Sequence, residues 1–219
     1  MLALSYICDI RFYMGLQSHW EKIYNTKQFT EVSWFQATPQ VSLDFIKELG
    51  IDKNKSIIDV GGGDSFLVDH LLKQGYTAIT VLDISEAAIM RAKSRLGKNA
   101  EKVSWIVSDV LDFSSEKIFD CWHDRAAFHF LTTEEEVEKY LSVAQKHLSE
   151  NGRMIIGTFS TEGPEICSGL PVKQYSEQSL SSVLKKWFDK IKCITTDHIT
   201  PANKIQNFLF CSFKKIKFQ

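Results

Sequence analysis

Ser56-Ile57-Ile58-Asp59-Val60-Gly61-Gly62-Gly63-Asp64-Ser65 decides how the rest of the chain is read. Ile57, Ile58 and Val60 are β-branched, as buried strands prefer, and they run straight into three glycines. Residues without Cβ let backbone N–H groups approach a ligand. Ser65 is placed to cap a following helix, whose N-terminus favours anions. A second apolar strand, Thr77-Ala-Ile-Thr-Val-Leu-Asp83, ends on an acid about twenty residues after the turn, where a βαβ unit puts a ribose-binding carboxylate. The stretch therefore predicts a nucleoside-bearing ligand at this sheet edge.

A dinucleotide turn wants Gly-x-Gly-x-x-Gly, and the third glycine position here is Phe66, too large for close helix–strand packing. An acid also stands two residues before the first glycine. Asp59-Val60-Gly61-Gly62-Gly63-Asp64-Ser65 resembles motif I of the class I S-adenosylmethionine (SAM)-dependent methyltransferases, acid-x-Gly-x-Gly-x-Gly, with Ser65 in place of the last glycine. A pyrophosphate disfavours an acid at such a turn. The ammonium, carboxylate and sulfonium of SAM suit one acid and free N–H groups. A nicotinamide dinucleotide, or SAM binding without catalysis, are the alternatives.

The 219 residues carry a formal net charge of −1, which gives no general attraction to nucleic acid or to an anionic membrane surface. Five cysteines, Cys8, Cys121, Cys167, Cys193 and Cys211, are scattered without Cys-x-x-Cys spacing. That pattern argues against a disulfide framework or a metal site and for a reducing, cytoplasmic setting. No apolar run reaches membrane-spanning length. Residues 1–17 read as an N-terminal extension, poorly ordered, with Met14 as the expected natural start. Residues 18–219 read as one domain, monomeric or dimeric.

Along that domain, residues 18–37 form a partly helical arm in which Trp34 and Phe35 are candidates for closing a pocket. Thr38, Pro39 and Gly50 frame a first helix. Ser65 and Ser85 start two more. Strands are expected at Val103–Ser108, Ile118–His123 and Met154–Phe159. Thr133 and Glu136 form a capping box for a helix running to Asn151-Gly152. After a long loop, 160–175, a helix from Ser176 carries Trp187 and Phe188 on its apolar face. Ile191–Ile199 and Ile205–Phe213 close the chain as an antiparallel hairpin. This order predicts an α/β, Rossmann-like fold: a seven-stranded, mostly parallel sheet with helices on both faces and an antiparallel C-terminal strand. The hairpin is also the mark of the class I methyltransferase sheet.

The resemblance implies roles for particular residues. Asp59, Gly61, Gly62 and Gly63 would hold the aminoacyl end of SAM, and Asp83, with Ile84 beside it, the ribose. Asp109 would accept from the adenine amino group while the N–H of Val110 meets a ring nitrogen. Trp34 and His123 complete the cofactor set. The fourth strand's exit, Asp124-Arg125-Ala-Ala-Phe128-His129, faces the cofactor in such folds. There His129 is the candidate general base, with Arg125 and Asp124 as candidate catalytic partners. Cys167 and the 160–171 loop are candidates for lining an acceptor pocket. His19, His70 and His147 read as solvated helix positions, and His198 as a hairpin surface residue. The arm and motifs look most like a bacterial group related to citrate synthase lysine methyltransferase, and more distantly like thiopurine- and tellurite-type enzymes. That relation implies a small-molecule or protein side-chain acceptor, no nucleic acid, and S-adenosylhomocysteine as product.

Overall fold

The structure, a computed structural model, describes residues 15–216. The expected start at Met14 lies outside them. Helix α1 spans residues 15–26, so residues 15–17 belong to the helical arm rather than to the extension. A 3-10 turn, Phe29–Glu31, leads to α2, Gln40–Glu48. The alternation then runs β1 Ser56–Val60, α3 Leu67–Lys73, β2 Ala78–Asp83, α4 Glu86–Leu96, β3 Val103–Val107, β4 Phe119–Arg125, α5 Glu134–His147 and β5 Leu148–Phe159. The loop after β5 contains a small hairpin, β6 Ile166–Cys167 and β7 Leu170–Pro171. Helix α6, Glu177–Leu184, and the long hairpin β8 Phe188–Ile199 and β9 Ile205–Lys215 complete the chain.

Seven strands form one sheet in the order β3-β2-β1-β4-β5-β9-β8. Strands β1 to β5 are parallel to one another, and β9 is antiparallel to both β5 and β8. The order reverses between β1 and β4, which opens a crevice at their C-terminal ends. Both faces are covered, as the near-continuous apolar strands require. On one face Ile58, Trp122 and Met154 pack with Tyr140, Leu141 and Leu180 from α5 and α6. On the other, Ile57, Cys121 and Ile155 pack with Phe45, Ile46, Leu67 and Leu71 from α2 and α3. The neighbouring pairs Ile57/Ile58 and Cys121/Trp122 split between the faces, as a period of two dictates.

Several boundaries move for local reasons. The Ser65 hydroxyl accepts from the N–H of Leu67 at 3.2 Å, so α3 begins two residues later than expected and Phe66 is its N-cap. Ser85 and the Thr133–Glu136 box cap α4 and α5 as expected. Helix α5 stops at His147 because Leu148 is already paired with Phe119 in the sheet. Phe188 likewise starts β8, paired with Lys215, rather than extending α6. Strand β4 runs through Asp124 and Arg125, the latter opposite Gly157 of β5.

The cysteine reading is overturned. The β8–β9 register sets Cys193 opposite Cys211, and the two are joined in a disulfide across 18 residues of sequence. Strand pairing, invisible in cysteine spacing, brings them together, and the pairing removes the argument for a reducing compartment. Cys121 and Cys167 are free and buried. Among the described residues, no helix is long and apolar enough to cross a membrane.

Candidate active site

The C-terminal rim of the sheet holds a cavity of about 190 Å³. One end is walled by Asp83, Ile84, Ser108, Asp109 and Val110, from the ends of β2 and β3. Gly61 lies at its middle, and Arg125, Cys167, Leu170 and Pro171 form the other end. The arm supplies Leu16, Trp20, Tyr24 and Trp34.

The glycine turn is built for close approach. Gly61 has φ +63° and Gly63 +42°, conformations that L side chains rarely adopt. A Cβ on Gly61 would lie 2.7 Å from that of Ala127. One on Gly62 would lie 2.7 Å from Asp59 Oδ2, and one on Gly63 would meet Asp83 Oδ2 at 2.8 Å and the Tyr24 hydroxyl at 2.9 Å. Of the three glycines, only Gly61 walls the cavity; Gly62 lies over Asp59, and Tyr24 covers Gly63.

Asp83 is buried, and its Oδ1 accepts from the N–H of Ser85 at 2.8 Å. Burial pushes its carboxyl up to about 7, helped by Asp64 and Asp59 and opposed by the N–H groups of Ser85 and Gly63. Asp109 caps the Val110–Asp112 turn through Leu111 N–H at 2.8 Å and also faces the cavity. Burial raises its carboxyl as well, against the Leu111 hydrogen bond. Asp109 thus caps the turn and lines the cavity at once.

The expected catalytic trio separates. Asp124 is fully buried and accepts from the Tyr140 hydroxyl at 2.7 Å and from the N–H groups of Ala127 and Phe128. It holds the Phe128–Phe130 turn and, among the described residues, forms no ion pair within 4.0 Å; its carboxyl is pushed up to about 6 by burial. His129 is also fully buried, stacked on Phe159 at 4.5 Å, with neither ring nitrogen hydrogen-bonded. Burial, then Arg125, lowers it to about 3, so the imidazole is neutral and faces the core. Only Arg125 reaches the cavity. Its Nη1 donates to Trp34 O at 3.0 Å, while Nη2 is buried without a partner.

Asp59 and His123 also lie behind the wall. His123 Nδ1 meets Asp59 Oδ1 at 2.7 Å and its Nε2 meets the Ser42 hydroxyl at 2.8 Å. Both ring nitrogens are therefore committed to the scaffold. His147 is not solvated: it binds the N–H of Ser115 and the carbonyl of Val143. His70 meets the carbonyl of Ala37, and His19 packs edge-on against Trp20. His198 is buried and pins the arm through Gln36 and the Ser33 carbonyl. Phe35 packs on Phe29 and Phe66, outside the cavity. Sequence reasoning missed Trp20 and Tyr24; their i, i+4 spacing on the arm helix was the available signal.

A family model described as "Methyltransferase domain" matches residues 51–208. The chain belongs to that methyltransferase family. The resemblance to class I SAM-dependent methyltransferases is borne out, and so is the Rossmann-like sheet. This methyltransferase-family chain is 27% identical over 143 residues to the eEF1A lysine and N-terminal methyltransferase of Mus musculus, covering 64% of the chain and 20% of the relative. It is 32% identical over 80 residues to nodulation protein S of Rhizobium tropici, covering 36% of the chain and 33% of the relative. The match thus spans about a fifth of the first relative and a third of the second. In fold it is similar to a Burkholderia thailandensis 1,6-didemethyltoxoflavin-N1-methyltransferase solved with 1,6-didemethyltoxoflavin and S-adenosylhomocysteine (TM-score 0.72, 18% identity, 94% and 90% of the two chains). It is also similar to the N-methyltransferase NodS of Bradyrhizobium japonicum WM9 (TM-score 0.63, 16% identity, 83% and 90%).

Proposed function

We propose that this chain binds SAM in the rim cavity and transfers its methyl group to a small-molecule or protein side-chain acceptor. One observation carries the reading. A single cavity runs from the acids at the ends of β2 and β3, past the Gly61 turn, to the exit of β4. That run matches the functional groups of SAM in order.

The fit is supported by groups this structure leaves ready. Asp83, Asp109 and Val110 line the cavity; in this reading Asp83 accepts the ribose hydroxyls, and Asp109 accepts from the adenine amino group beside the Val110 N–H. Gly61 offers backbone where any side chain would collide with Ala127. Asp59 supports the turn from beneath Gly62 rather than from the cavity. When bound, SAM supplies a methyl group on a sulfonium, already activated toward an attacking lone pair.

The residues of this chain then align and desolvate. Orientation of two reactants is worth up to about 7–11 kcal/mol in favourable cases. Trp20, Tyr24, Trp34 and Phe130 give the cavity aromatic walls. No histidine is among the lining residues described. Burial also holds the Tyr24 hydroxyl well above its ordinary value and raises the Cys167 thiol, so both stay protonated near neutral pH. Calorimetry with S-adenosylhomocysteine and with NAD tests the cofactor. Binding of the first and not the second is expected, and the reverse would end the reading. Release of S-adenosylhomocysteine from SAM with an acceptor panel tests transfer.

A further inference from the structure

We infer that Arg125 is an acceptor-selecting residue, and that the acceptor is a small, largely apolar molecule carrying one carboxylate-class anionic group. The inference rests on the proposed methyl transfer and adds the substrate class.

Arg125 is the one cation among the described residues lining the cavity. The other charged lining groups are Asp83, Asp109 and Glu136, and Glu136 is occupied by the N–H groups of Thr132 and Thr133. Arg125 forms no ion pair within 4.0 Å among the described residues. One nitrogen is held by the carbonyl of Trp34 at 3.0 Å; Nη2 is buried and unpartnered. The aromatic ring of Phe208 lies 5.4 Å from the guanidinium carbon. The Asp59 carboxylate acts on the guanidinium through space, without an ion pair inside 4.0 Å; Nη2 keeps an unmade hydrogen bond, a costly state that a planar oxyanion accepting from it relieves.

Its place decides which anion. Arg125 ends β4, on the far side of Gly61 from the acids of β2 and β3. Its surroundings include the arm carbonyl, Phe208 of the hairpin and Cys167 of the loop after β5, with Asp59, His129 and His198 within electrostatic reach. The same end of the cavity is walled by Trp34, Phe130, Leu170 and Pro171. A ligand that fills it meets apolar and aromatic surface everywhere except at one fixed cation. That pattern selects a compact hydrophobic acid and disfavours a lysine side chain, whose ammonium Arg125 repels.

The test uses the full chain saturated with S-adenosylhomocysteine and two shape-matched probe pairs, benzoate with benzamide and 2-naphthoate with 2-naphthamide. Binding is read by calorimetry and by quenching of Trp20 and Trp34 fluorescence. Each carboxylate is expected to bind at least 10-fold more tightly than its amide. Arg125→Gln is expected to abolish that preference while S-adenosylhomocysteine affinity changes less than 3-fold. No carboxylate preference in the unmodified protein overturns the inference, whether or not the variant folds. A loss of S-adenosylhomocysteine affinity of 10-fold or more in Arg125→Gln also overturns it, by placing the cofactor's own carboxylate on this side chain. Failure of the unmodified protein to bind S-adenosylhomocysteine at all refutes the cofactor reading and the inference with it.

Discussion

His123 Nδ1 lies 2.7 Å from Asp59 Oδ1, buried between β4 and β1. The pair converts a motif acid into a piece of scaffold. Asp59 Oδ2 has no hydrogen-bond partner and sits where Gly62 would carry a Cβ. The acid thus props the turn from behind while the ligand would meet its front.

Removing His123 leaves that carboxylate buried without its donor. His123→Leu should destabilise the fold by about 3–5 kcal/mol, the usual cost of breaking a buried pair from one side. Asp59→Asn combined with His123→Leu should recover part of the loss, because the remaining group is neutral. Urea titrations of the two variants check this; equal losses in both would show that the pair carries no coupling.

With SAM bound as proposed, Asp83 should make cofactor affinity depend on pH. In the ligand-free cavity burial holds its carboxyl near 7, with Asp64, Asp59 and the Tyr24 hydroxyl around it. Below that value it is protonated, and ribose hydroxyls must displace the proton to find a carboxylate. S-adenosylhomocysteine affinity should therefore fall by up to about tenfold per pH unit below 7 and level off above it. Asp83→Asn should flatten the profile and weaken binding at pH 8 roughly 10- to 200-fold, the equivalent of a charge-assisted hydrogen bond of about 1.5–3 kcal/mol. Calorimetry across pH 5.5–8.5 reads both effects.

His129 should matter to acid stability and not to catalysis. Its folded value, about 3, lies below its ordinary 6.5. Between those values the unfolded chain takes up a proton that the native chain refuses, so this contribution is complete above pH 6.5 and is lost as pH falls. The loss is about 1.4 kcal/mol per unit. His129→Phe should flatten the acid limb of the stability curve and leave S-adenosylhomocysteine binding within about 2-fold. A drop in turnover of 10²–10⁴ would instead mark the residue as a general base.

The arm is held by a charge on a helix end. The Glu21 carboxylate accepts from the N–H groups of Glu86 and Ala87, at the start of α4, while Arg91 donates to the carbonyls of Tyr24 and Lys27. Glu21→Ala should cost about 1 kcal/mol of docking. Hydrogen exchange over residues 15–26 should quicken and S-adenosylhomocysteine should dissociate faster. Unchanged exchange would mean that Trp20 and Tyr24 packing alone secures the arm.

Gly62 tests the turn itself. Its φ is unrestricted, but an added Cβ would meet Asp59 Oδ2 at 2.7 Å and Val81 Cγ1 at 2.9 Å. Gly62→Ala should cost about 1–3 kcal/mol as overpacking and lower the melting temperature. A neutral result would show that Asp59 can move without loss.

The sheet, its antiparallel closing strand and the rim where Asp83, Gly61 and Asp109 meet were legible in the order of residues alone. These follow from local rules: β-branched runs make buried strands, glycines mark the turn, and the chain order of strands and helices leaves few topologies. The direction in which side chains on one strand point was settled by packing in three dimensions. His123, Asp124 and Arg125 are consecutive, yet the first is locked to Asp59, the second caps a turn beneath Tyr140, and only the third reaches the cavity. Cys193 and Cys211 pair, and His198 pins the arm, through contacts set by strand register and by an element many residues away. Alternation along a strand is readable from residue types only when polar residues face water. Here polar groups turn inward, and partners such as Asp59 for His123 and Tyr140 for Asp124 are ones that the linear order does not reveal.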